Sequence, residues 1–214
     1  MAANWTTIAS LATATGTMVL ALATFSSVRS SNRSARLAER ALSVRLRPLL
    51  MAGRLEDPPQ KVRWGDDHIE VVEGSEAVVR EVDGSHYLAF GVRNAGAGIA
   101  VLHSWQLAPA DGSAEADQPD VSRFRRHTRD IYVASGDLGF WQAAIRDADD
   151  EFRAVAEDLI GKRQVFAIDI MYGDHEGGQH TVSRFSIAPL GDDRWMCAVV
   201  RHWHLDRDDP RADD

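Results

Sequence analysis

Residues 165–204 read VFAIDIMYGDHEGGQHTVSRFSIAPLGDDRWMCAVVRHWH. Three apolar runs, Val165 to Tyr172, Thr181 to Ala188 and Arg194 to His204, are separated by Gly173-Asp174-His175-Glu176-Gly177-Gly178-Gln179 and by Leu190-Gly191-Asp192-Asp193. Apolar and polar residues alternate along each run, the period of a half-buried strand, and both breaks carry turn residues. Read as two antiparallel hairpins, the stretch puts Phe185 beside Cys197, Ile187 beside Trp195 and Ile168 beside Phe185. Phe166, Ile168, Ile170, Phe185, Ile187, Trp195, Val199 and Trp203 then share a core face with Cys197, which is expected to be an inert buried thiol. The other face receives Asp169 beside Arg184, an ion pair, and His180 beside His202, with His204 on the same side as His202.

Working upstream, Pro48 to Leu55, His68 to Val72, Ala77 to Val82, Tyr87 to Arg93 and Ile99 to Leu107 read as further short strands. Asp57-Pro58-Pro59, Asp83-Gly84 and Asn94-Ala95-Gly96-Ala97-Gly98 punctuate them. Residues 109–129 are polar and turn-rich and read as a long mobile loop, with a strand around Ile131-Tyr132-Val133. One helix is expected where Phe152, Val155, Ala156, Leu159 and Ile160 keep helical spacing. Asp149, Asp150 and Glu151 complement its N-terminal dipole, and Gly161 is placed to stop it. The predicted fold is mainly β: an immunoglobulin-like antiparallel β-sandwich with one packed helix, covering 47–205, followed by an acidic, disordered tail at 206–214.

The N-terminus has a different character. Residues 2–28 carry no charge. As a helix they span roughly 40 Å at about 1.5 Å per residue, enough to cross a hydrocarbon core of about 30 Å. A transmembrane anchor is therefore expected at 1–28, with Trp5 at the outer interface and a basic juxtamembrane helix or stalk at 29–46 that Pro48 ends. No basic residue precedes Trp5, unlike the n-region of a cleaved signal. Arg29, Arg33, Arg36 and Arg40, with Arg45 and Arg47 beyond, flank the span on its C-terminal side. By the positive-inside rule the N-terminus lies outside and the domain in the cytoplasm. The bilayer is thus the first partner. Ala9, Thr13, Thr17 and Ala21, with Ala12 and Gly16 beside them, give the span a face of small side chains through which a homodimer could form.

Charge and composition exclude several functions. The net charge of −8 combines about +5 in residues 1–50 with about −13 in the remainder, so nucleic-acid binding by the domain is not expected. The single cysteine precludes an intrachain disulfide. There is no nucleotide-binding glycine loop, zinc-protease helix or nucleophile elbow, and no catalytic residue is assigned.

Two clusters carry site hypotheses. His175, His180, His202 and His204, with Asp174 and Glu176 from the adjoining loop, offer imidazole and carboxylate ligands to a transition metal. A metal sensor or metal-dependent hydrolase would use Glu176 or Asp174 as ligand or general base. Arg123, Arg125, Arg126, His127 and Arg129 fall on the predicted loop, where guanidinium groups match anionic lipid or a phosphorylated ligand.

The segments Asn94-Ala95-Gly96-Ala97-Gly98, Tyr172 to Gln179 and Arg201-His202-Trp203, behind an Arg-collared span, resemble actinobacterial single-span membrane-anchored proteins. That resemblance implies anchoring and brings no activity, ligand or cofactor. The expected function is a non-enzymatic interaction module for a protein partner yet to be identified.

Overall fold

The computed structural model describes residues 3–110, 117–191 and 193–207. The chain forms two compact units, Met1–Arg45 and Leu46–Asp214. The first is one continuous helix, α1, Ala3–Arg45, containing one stretch, Ile8–Ala38, long and apolar enough to cross a membrane and buried nowhere. Thr13, Thr15, Thr17 and Thr24 each donate a hydroxyl to the carbonyl four residues back, at 2.8–2.9 Å. That leaves these helix polar groups satisfied without water. The side chains of Trp5, Arg40 and Arg45 lie outside the described residues.

The second unit is mainly β and antiparallel, as expected. Its strands are β1 Leu50–Ala52, β2 Gln60–Arg63, β3 Ile69–Val72, β4 Glu76–Val82, β5 Ser85–Asn94, β6 Ala100–Pro109, β7 Arg125–Val133, β8 Leu138–Ile145, β9 Phe166–Gly173, β10 His180–Leu190 and β11 Arg194–His204. β8 lies along one edge of β5, so β4 and β1 must share the other edge end to end. From β4 the sheet continues through β11, β10, β9 and β6 to β7. It curls so that its halves face each other: Phe90 of β5 meets Phe185 of β10 at 5.0 Å, and Trp105 of β6 meets Trp141 of β8 at 5.2 Å. Helix α2, Arg153–Gly161, buries Ala156 and Leu159 in the same interior. The result is sandwich-like, and Cys197 is buried in its core.

A second, smaller core lies on the back of the sheet. β2 and β3 pair only with each other and cover Val78, Tyr87 and Ala89 with Val62, Val72 and Trp64. Trp64 Nε1 donates to the Ala143 carbonyl at 3.0 Å. The β2 strand was not expected from the sequence.

The break at 94–98 holds the domain's first strand in place. Asn94 is fully buried. Its Oδ1 accepts from the backbone N–H of Leu49 (3.2 Å) and Gly96 (3.0 Å), and its Nδ2 donates to the carbonyls of Gly98 (2.6 Å) and Val133 (3.0 Å). A Cβ on Gly98 would lie 1.7 Å from the Leu46 oxygen, so the close backbone approach requires glycine.

Candidate functional site

The histidines expected to converge are dispersed. His175 sits in the exposed turn after β9. His180 pairs with Gly173, not with His202, and its ring lies 5.8 Å from that of His103. β10 and β11 pair two residues further along than expected, Phe185 with Val199 and Ile187 with Cys197, because Leu190 pairs directly with Arg194. Between Arg184 and Phe185 the register shifts and Val200 is left without a partner. This β-bulge reverses the facing of everything beyond it.

Trp203 therefore leaves the core face expected for it and stacks under the Arg184 guanidinium at 5.1 Å. His202 and His204 join the side of Ser183 and Thr181 instead. Ser183 Oγ lies 2.6 Å from His202 Nδ1 and 2.8 Å from Tyr172 OH. The Leu50 N–H donates to Tyr172 OH at 3.1 Å. Ser183 Oγ thus bridges the buried phenol and the His202 imidazole in one hydrogen-bonded chain. Burial pushes the Tyr172 phenol up to about 12, so it stays protonated. His204 Nδ1 is 3.1 Å from Arg47 and 3.2 Å from Thr181. Among the described residues no three His, Cys, Asp or Glu side chains come together as ligands for one ion.

The expected Asp169–Arg184 pair is present and buried. Arg184 Nε and Nη2 bind the two carboxylate oxygens at 2.7 and 2.8 Å, and Gln106 Nε2 adds a bond at 2.9 Å. With those partners it reads as a structural pair.

The richest site lies where the sheet ends. β7 and β8 are consecutive and terminal, yet no ladder joins them, so the curled sheet has an open seam. The cations expected on a loop stand here on a strand. Arg125 and Arg126 pair with Trp105 and Ser104 of β6, and residues 127–130 bulge out opposite His103. Their polar, arginine-rich composition hid the strand. A 3₁₀ turn, Val121–Arg123, precedes them, its Asp120 cap accepting from the Ser122 N–H at 3.0 Å.

Two adjoining clefts run along the seam. The first, about 290 Å³, is lined by Arg125, Arg126 and Arg146 together with His127 and Trp105. The second, about 490 Å³, is lined by Lys61, Arg63 and Arg129 together with Phe140. Trp64, Gly65, Thr128 and Gln142 belong to both, and no carboxylate lines either. Three of the cations have local counter-ions. Arg125 binds Asp150 through two nitrogens at 2.7 and 2.5 Å and lies 4.6 Å over the Phe152 ring. Burial works upward on the Asp150 carboxyl, but the bonds from Arg125 and the Phe152 N–H outweigh it and hold it below its ordinary value. Arg146 binds Asp66 at 2.9 Å and Arg63 binds Asp67 at 2.5 Å.

Lys61, Arg126 and Arg129 are exposed, and none has an ion pair among the described residues. Burial, with His103 adding to it, lowers His127 to about 4, so this imidazole is neutral near pH 7 and adds no charge. Lys61, Arg63 and Arg146 were missed from the sequence because they are distant in the chain; only the β2–β3 hairpin brings the first two to the seam.

No protein-family model matches the chain, and comparisons with curated proteins and with solved structures give no match.

Proposed function

We propose that this chain is a membrane-anchored binding module, non-enzymatic, whose β domain faces the cytoplasm and holds a partner at the bilayer. The observation that carries the reading is the fully exposed apolar stretch Ile8–Ala38 attached to a domain with its own core. An apolar surface of that length in water is costly, and a bilayer removes the cost. Arg29, Arg33 and Arg36, exposed on α1, suit the cytoplasmic headgroup region. The small-residue stripe at Ala9, Thr13 and Thr17 suits a second copy in the membrane.

Alkaline extraction of membranes from cells making the full chain tests the anchor, which predicts retention in the pellet. A reporter fused after Asp214 tests the orientation: activity only outside the cytoplasm would overturn it. Affinity capture from solubilised membranes is expected to return a protein absent from a control carrying α1 alone.

A further inference from the structure

We propose that the β7–β8 seam is a binding site for a phosphoryl group, carried by a lipid headgroup or by a soluble phosphorylated molecule. The inference deepens the binding-module reading by naming the chemistry of its ligand, and it holds whichever side of the membrane the domain faces.

The argument begins with charge. Residues 51–214 carry about −13, yet the seam gathers six cations and no carboxylate along its lining. Arg63, Arg125 and Arg146 have carboxylate partners outside the lining. Arg126, Arg129 and Lys61 have none among the described residues, and they come from two different sheets, the first two from β7 and Lys61 from the β2–β3 hairpin. Two guanidinium forks match the oxygen geometry of a phosphoryl group, and an ammonium supplies a compact charge beside them. Thr128 contributes a hydroxyl, and Gly65 has nothing within 4 Å of the position a Cβ would take, which leaves its backbone approachable.

Two other occupants account for less. Cations and bulges on an edge strand deter strand addition, and the 127–130 bulge makes β7 a poor template for an added peptide strand. That protective role needs only Arg126 and Arg129. It does not require a separate hairpin to bring Lys61 and Arg63 to the same acid-free cleft. The larger cleft of about 690 Å³ beside α2 is lined by Asp117, Asp120 and Glu151 as well as Arg123 and Arg184, and Arg184 is already held by Asp169.

The test uses the full chain in neutral detergent micelles. Inorganic pyrophosphate is titrated calorimetrically, and in a second arm the micelles carry phosphatidylinositol 4-phosphate or phosphatidylcholine. Binding to pyrophosphate assigns a soluble phosphorylated ligand as sufficient; binding only to the phosphoinositide micelles assigns the headgroup. Both support the site, provided that Lys61→Gln/Arg126→Gln/Arg129→Gln weakens binding by about tenfold or more. A collar variant, Arg33→Gln/Arg36→Gln, is expected to bind as the parent does. Arg126→Lys/Arg129→Lys keeps the charge without the forks and is expected to fall between parent and triple variant. If the triple variant loses its fold by circular dichroism, Arg129→Gln alone is expected to weaken binding several-fold. Binding to neither probe overturns the proposal, as does binding that survives the cleft variants and vanishes in the collar variant. Membrane retention of the same chain is read separately, so loss of the anchor and loss of the site give different results.

Discussion

β5 contributes to two cores at once, and they are built differently. Leu88, Phe90 and Val92 face the interior, where the two halves of one continuous sheet close on each other and α2 fills one flank. Tyr87 and Ala89 face the other way, under a separate hairpin whose strands have four residues each. Both cores are sealed by tryptophan, yet only the interior is knitted across the whole sheet. Side chains at alternate positions of one strand can therefore belong to cooperative units of different strength.

The sharpest break in this comparison is Trp141→Ala. Trp141 is fully buried and in ring contact with both Phe90 and Trp105. Its loss is expected to cost about 3–5 kcal/mol, read from denaturant unfolding. Asp169→Asn removes the buried carboxylate that Arg184 binds through two nitrogens on the back of the same sheet. A cost of about 3–5 kcal/mol is expected, with Asp169→Leu/Arg184→Met recovering much of it.

Acidification tests the seam. The unfolded His127 imidazole takes a proton near 6.5, the folded one near 4. The unfolded state thus binds more protons in this window. Stability is full above about 6.5 and declines as the pH falls toward 4, by on the order of 2–3 kcal/mol. His103 shifts in the same direction. His127→Asn is expected to flatten the decline; an unchanged profile would contradict the burial of this ring.

Trp64→Ala is expected to cost the whole fold about 1–3 kcal/mol. Amide exchange should rise mainly in β2 and β3. Uniform acceleration across β9–β11 would show that the two cores are one unit. The smallest effect belongs to Asp66, whose carboxylate accepts from Tyr87 OH (2.6 Å) and Arg146 and is held well below its ordinary value. Its contribution is present above the unfolded value of about 3.8 and is lost as the pH falls through the folded one. Trp64 fluorescence should report loosening of the hairpin there in the parent, and in Asp66→Asn, which lacks the carboxylate, already at neutral pH.

Much of the fold was legible because period-two patterning is strong where one face is buried. The β9–β10 register follows from it, with Ile168 opposite Phe185 and Asp169 opposite Arg184. Helix α2 and the break around Asn94 were legible from spacing and turn chemistry. The β10–β11 register was less so, since Arg201-His202-Trp203-His204 alternates equally well on either side of a bulge and nothing local marks Val200 as the extra residue. β2 was hidden by its charged residues, β7 was legible only at Ile131-Tyr132-Val133 because the residues before them read as solvated, and β8 was not expected. Of the candidate sites, the arginine cluster was visible in sequence but its setting was not. Its cleft exists because the sheet ends there, a property of topology. Of the residues expected to form the tail, Asp206 is bound to Arg47, and residues 208–214 lie outside the described residues.

Arg47 also has an engineering consequence. One guanidinium, near the domain's start, reaches His204 (3.1 Å) and Asp206 (2.9 Å) near its end, and Thr181 (3.5 Å) on the neighbouring strand β10. Entry and exit of the β unit are therefore neighbours. The domain can be spliced into a surface loop of a host protein through two short connectors, or permuted by joining these ends and reopening the chain at the exposed His175 turn.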